Sequence, residues 1–231
     1  MKKIKLIAVV IPLLFACTPE GQTTIEQQSF YQKSAASGPA NPSNPYDAAG
    51  ALRNRILAAA FTAFPHGASD TEILASISLT ANSDSDFAAL KTASYSELSI
   101  DTLQSYLQSS PPVAQTVAKL PLSQKAKADF TSFINGLLAV QAQDYDIVQA
   151  YIINFETAVL SSGLYSAAEK KLMLTVSSLE RYSEYYRRKP KDKDWDLLLG
   201  NIIAGAEGAA NDQATAVLNS AVVEAALHIN P

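Results

Sequence analysis

Few residues of this 231-residue chain have the types or spacing that chemistry requires. It carries one cysteine, Cys17, and two histidines. His66 lies in a Phe-Pro-His-Gly turn and His228 near the end of the last helical pattern, where a protonated imidazole simply complements the helix dipole. Neither is assigned a catalytic or ligand role. The chain has no G-x-S-x-G, no H-E-x-x-H and no phosphate-cradling glycine loop, which argues against hydrolases built on those devices. Asp192, Asp194 and Asp196 alternate as calcium ligands would, but a calcium loop next needs Gly and then Glu where Leu197 and Ile203 stand. No catalytic residue, metal site or cofactor is expected.

One cluster does stand out. Arg181, Arg187, Arg188, Lys189, Lys191 and Lys193 interleave with Tyr182, Tyr185 and Tyr186, and Trp195 follows. Cations with aromatic neighbours suit phosphate or acidic ligands. The plain alternative is a helix C-terminus attracting cations whose stems pack on tyrosine rings, with Glu180 and Glu184 offsetting the charge. Arg181, Tyr182, Tyr185, Tyr186, Arg187, Arg188, Lys189, Lys191 and Trp195 are therefore the candidate interaction surface.

The N-terminus decides which ligands that surface would meet. Lys2, Lys3 and Lys5 form a basic head, and Ile4 to Ala16 is an almost unbroken apolar run, the layout of a secretory signal and too short for a membrane span of about 20 residues. Leu14-Phe15-Ala16-Cys17 resembles the lipobox of bacterial lipoproteins. The resemblance implies that residues 1–16 are removed and that Cys17 becomes a diacylated and usually triacylated N-terminus. Each buried methylene contributes about 0.8 kcal/mol, so such an anchor is effectively permanent. A lone cysteine in an exported chain is thereby explained, and thiol chemistry and Cys/His zinc sites drop out. Removing Lys2, Lys3 and Lys5 from 18 basic residues leaves 15 against 22 acidic ones, a formal charge of −7. That balance argues against nucleic acid as a partner. Thr18 follows the cysteine where enterobacterial inner-membrane retention requires Asp, which favours the outer membrane.

The elements that must position any site are helical. Residues 17–44 are rich in Gln, Ser, Thr, Pro and Gly and are expected to form a flexible tether, with an end-to-end distance of about 30 Å. Residues 45–231 are expected to form one all-α domain, an antiparallel helical bundle with a less regular N-terminal half. Asn44-Pro45 suits a helix start, with Leu52, Ile56, Ala60 and Phe64 at one-turn spacing. Ser69/Glu72, Ser94/Glu97 and Ser166/Glu169 have capping-box spacing. Ala126, Phe130, Phe133, Ile134, Leu137 and Leu138 form one stripe, and Val148, Tyr151, Ile152, Phe155 and Val159 another. Leu172, Val176, Leu179 and Tyr186 form a third. Asp194 is expected to cap a segment opening at Trp195, in which Gly200, Ala204, Gly205, Gly208 and Ala209 recur at a spacing that suits close helix packing.

Asn44-Pro45-Tyr46-Asp47, Gly50 and Arg53-Asn54 resemble the N-P-Y-D-x-x-G-x-x-H-N opening of small exported Bacteroidota proteins of unknown function, and Asp194-Trp195-Asp196 with Gly200 and Gly205 is similar to their glycine-bearing end. Arg53 stands where that pattern has His, removing its one residue suited to acid–base or metal chemistry. The expected function is a membrane-anchored, non-enzymatic envelope module with a protein or glycan partner. The alternative is an enzyme or small-ligand binder using carboxylates and tyrosines between helices.

Overall fold

The computed structural model describes residues 38–62, 64, 67–108, 111–186 and 195–230. Among these, the chain forms ten helices and no strand, so the all-α expectation holds. They are α1 (Asp47–Phe61), α2 (Asp70–Asn82), α3 (Ser85–Leu90), α4 (Ile100–Gln108), α5 (Val113–Lys119), α6 (Gln124–Val140), α7 (Tyr145–Ser161), α8 (Ala167–Tyr186), α9 (Trp195–Asn211) and α10 (Gln213–Ile229). No helix of the described residues is long and apolar enough to cross a membrane.

Local chemistry sets the helix ends. Ser69 and Glu72 form the reciprocal capping box that opens α2. Ser166 and Glu169 do the same for α8, with Ser166 N–H donating to the Glu169 carboxylate (2.7 Å) and Glu169 N–H donating to Ser166 Oγ (3.2 Å). The other Glu169 oxygen accepts from the N–H of Ser123, the cap of α6, at 2.7 Å. One carboxylate thus fastens two helix starts.

Ser94 and Glu97 do not cap a helix. Ser96 N–H donates to Thr215 Oγ1 (3.2 Å) and Thr92 N–H to Asp212 Oδ2 (2.9 Å), which pins this stretch to the start of α10 in a non-helical conformation. The helix begins after Ser99, whose Oγ accepts from Thr102 N–H at 3.1 Å. Asn44 is also not the immediate cap of α1. Its Oδ1 accepts from Tyr46 N–H (2.9 Å) in an Asx turn, and the helix starts at Asp47.

α8 lies at the centre, packed against α1, α7, α9 and α10. Almost all of it is buried, from Leu172 to Tyr185 without a break. Two apolar clusters flank it. One gathers α1, α2 and α10 around Ile56, Leu57, Ile73 and Leu218. The other gathers the α6 stripe, all six residues of it, with Val148, Ile152 and Val159 of α7 and Leu172 and Val176 of α8. Tyr151, Phe155 and Tyr186 are only half-buried. α9 and α10 are joined through Asp212 alone, whose Oδ1 accepts from Thr215 N–H at 2.7 Å. The small-residue face of α9 permits their close approach: a Cβ on Gly208 would meet Ala216 Cα at 2.6 Å.

Glu169 makes stability depend on acid. The Ser123 hydroxyl and N–H and the Ser166 N–H hold its carboxyl down at about 2, against an ordinary 4.5. A depressed folded-state pKa means stabilisation present above the ordinary value and lost as pH falls toward the folded one. Urea midpoints should therefore decline between pH 4.5 and about 2. Glu169→Gln should make that decline shallower; an unchanged slope would remove Glu169 from the account.

Candidate functional site

The residues singled out by sequence separate into buried and undescribed groups. Arg181, Tyr182 and Tyr185, expected on an interaction surface, are instead buried, Arg181 completely. Tyr186 is half-buried. Arg187, Arg188, Lys189, Lys191, Asp192, Asp194, His66 and Cys17 lie outside the described residues, as does the side chain of Trp195. The physical reason for the correction is that α8 is covered from Leu172 to Tyr185, so Arg181 points at acids rather than at water.

Arg181 occupies a buried ionic cluster. Its Nη2 donates to Asp47 Oδ1 at 2.5 Å and to Glu156 Oε1 at 3.2 Å. Glu156 has no exposed surface and also accepts from Asn41 Nδ2 (2.6 Å), Asn44 Nδ2 (2.7 Å) and Ser177 Oγ (3.0 Å). Tyr182 donates its hydroxyl to Asp47 Oδ2 at 3.2 Å. Burial alone would lower the Arg181 pKa, but Glu156 and Asp47 outweigh it and raise it, so the guanidinium stays charged.

Asn41 and Asn44, placed by composition at the end of a flexible tether, are buried parts of this cluster. Gly38 also accepts a hydrogen bond from Gln149 Nε2 at 2.8 Å. The ordered body therefore reaches back at least to residue 38, because the two asparagines saturate a carboxylate that has no water to solvate it.

A second buried cluster lies on α1, α9 and α10. Arg53, also without exposed surface, pairs with Glu224 and donates to Asn54 Oδ1 (2.6 Å) and Ser220 Oγ (3.1 Å). Ser220 donates to Asn201 Oδ1 at 2.6 Å. Asn54 Nδ2 donates to the Tyr182 carbonyl at 3.1 Å. Gly50 lets α1 touch α8, since a Cβ there would meet the Ser178 carbonyl oxygen at 2.5 Å. Asn44, Asp47, Gly50, Arg53 and Asn54 are thus all occupied in joining α1 to the bundle.

These clusters are framework rather than reaction chemistry: their charged groups pair with one another, although Nε and Nη1 of Arg181 meet no hydrogen-bond partner among the described residues, and none of them lines the α6–α7 groove or the pocket between α4, α5 and α9. Among the described residues, no group of three or more His, Cys, Asp or Glu side chains is placed to hold a metal.

Accessible chemistry lies elsewhere. An open groove of about 590 Å³ runs between α6 and α7, walled by Phe133, Tyr151 and Phe155 with Asn154 and Ala158 at its exposed edge. Phe133 and Tyr151 are stacked at 5.8 Å between centroids and 4° between planes. Tyr151 sits over Gly136 and donates to the Phe133 carbonyl at 3.0 Å, which fixes the ring. At one end Asp129 pairs with Lys125 and accepts from Tyr165. Burial would raise the Asp129 carboxyl, but hydrogen bonds from Lys125 and Tyr165 hold it below the ordinary value. Burial and then Asp129 push the Tyr165 phenol up to about 12. Neither group exchanges protons near neutral pH. A second, smaller pocket of about 160 Å³ lies between α4, α5 and α9.

Neither the groove nor Glu156 was singled out from sequence. Glu156 did leave a signal: it sits on the Val148, Ile152, Val159 face of α7, where an acid on an apolar stripe needs a buried cation.

The ionic cluster carries a stability prediction. Arg181→Met strands Glu156 and should cost about 3–5 kcal/mol in urea unfolding. Arg55→Met, which breaks the exposed pairs with Asp84 and Asp86, should cost less than about 1 kcal/mol. Equal costs would contradict the framework role of Arg181. No protein-family model, no curated protein and no solved structure matches this chain.

Proposed function

We propose that the chain is an envelope lipoprotein anchored through Cys17, and that its helical body is a non-enzymatic binding module whose α6–α7 groove takes up an envelope protein or glycan. The anchor reading rests on the basic head, the short apolar run and the Leu14-Phe15-Ala16-Cys17 box, and it favours the outer membrane. The binding reading rests chiefly on one observation: the groove combines an aromatic wall with the Lys125–Asp129 ion pair, whose acid stays ionised, and the neighbouring Tyr165 phenol, which stays protonated at neutral pH. Such groups hold a ligand by stacking and fixed hydrogen bonds. They are poorly matched to general acid–base catalysis, which needs a pKa near the working pH. The enzyme alternative loses its natural candidates in the same way, because Glu156, Asp47 and Tyr182 are engaged in the framework.

Cys17→Ser should abolish palmitate labelling and release the protein from membranes; survival of both would defeat the anchor reading. For the groove, crosslinking in intact envelopes followed by pull-down should capture a partner with the wild-type protein. Ala158→Arg, at an exposed position on the groove edge, should remove it without unfolding the body. Absence of any specific capture, or capture indifferent to the arginine, would count against the groove as the binding surface.

A further inference from the structure

The pocket between α4, α5 and α9 has features that the groove lacks. It holds about 160 Å³, room for roughly five waters or one solute of that bulk. Gly200 forms part of its wall, where the missing side chain leaves space beside the Tyr106 carbonyl. Thr116 lines it too. That residue is 4% exposed, and its hydroxyl is buried without a partner among the described residues. A buried hydroxyl left unpaired is unfavourable unless something enters to meet it.

Two opposite charges line the same pocket. Glu207 accepts from the Tyr106 hydroxyl at 2.8 Å, and Lys119 stands in the last turn of α5. Among the described residues neither forms an ion pair, with the other or with any third group. Burial and the Glu207 charge push the Tyr106 phenol far up, so it stays a donor and orients the carboxylate.

A phosphate would meet Lys119 but be repelled by Glu207. A simple amine would do the reverse, and a neutral sugar would leave both charges unmatched. We propose that this pocket binds a small zwitterion of the α-amino acid class, its ammonium on Glu207, its carboxylate toward Lys119, and Thr116 Oγ as a further hydrogen-bonding group. The site is separate from the α6–α7 groove and does not depend on what that groove binds.

The test is calorimetric titration of the full-length protein in detergent with glycine, L-alanine and L-serine. Matched controls are the corresponding amides, the N-acetyl derivatives and glucose. Saturable binding is expected for the free amino acids, weakened about tenfold or more when either ligand charge is removed, as for loss of a charged hydrogen bond. Lys119→Met should erase the discrimination between acid and amide; Glu207→Gln should erase that between free and N-acetylated forms. Lys119 is exposed, so its variant keeps the fold and reports on binding alone. The proposal is overturned if no free amino acid binds, if glucose or the blocked derivatives bind as well, or if both variants bind like wild type. The Ala158→Arg variant should bind amino acids normally, which keeps this outcome distinct from failure of the groove.

Discussion

The fold depends on a carboxylate that has no water. Glu156 sits in the middle of α7 with no exposed surface, and its charge is tolerable only because Arg181 and three hydrogen-bond donors surround it. Those partners come from separate parts of the chain: Asn41 and Asn44 before α1, Ser177 and Arg181 from α8. Arg181 in turn reaches Asp47 at the first turn of α1. Desolvating an ion costs several kcal/mol, and only good geometry with additional hydrogen bonds recovers it. The charged groups therefore favour one arrangement of α1, α7 and α8 over others that apolar packing alone would accept.

The second cluster extends the same logic across α8. Arg53 lies within two turns of Asp47 on α1 and pairs with Glu224 of α10, while Asn54 holds the Tyr182 carbonyl. α1 thus carries charges into both flanks of the central helix. Its approach is possible because Gly50 presents no Cβ to Ser178, just as Gly208 presents none to Ala216 where α9 meets α10. Removing side chains at the contacts and supplying ions beside them are two halves of one packing solution: close backbones leave no room for water, and the ions must then find protein partners.

This explains which features could be read in the sequence. The Ser69/Glu72 and Ser166/Glu169 boxes and the α6 stripe depend on neighbours three or four residues apart, and they formed as expected. The α9 glycines, which demand a close partner whatever its identity, were legible for the same reason. Ser94/Glu97 failed because Thr215 and Asp212, more than a hundred residues away, took over that backbone. The polar N-terminal stretch read as tether because Asn41 and Asn44 look solvated until Glu156 is placed beside them. Arg181, Tyr182 and Tyr185 read as surface by the same error. Composition reports the polarity of a side chain but not whether its partner is water or protein, and a helix as polar as α8 is buried only when the partners arrive from elsewhere.

That distinction also separates framework from function. A charge whose partners are all internal has been committed to holding helices, and changing it should alter stability before binding. A charge in a cavity wall with no opposite charge beside it, or a hydroxyl there with no hydrogen-bond partner, is available to a ligand. Glu156 and Arg181 belong to the first kind, Glu207, Lys119 and Thr116 to the second, and Asp129 lies between them, paired with Lys125 yet open to the groove. The helices that line the groove and the pocket, α4 to α7 and α9, pack against one another or against the central α8. Among the described residues, the buried ion pairs thus hold the helices, while Glu207, Lys119 and Thr116 line space that the helices enclose.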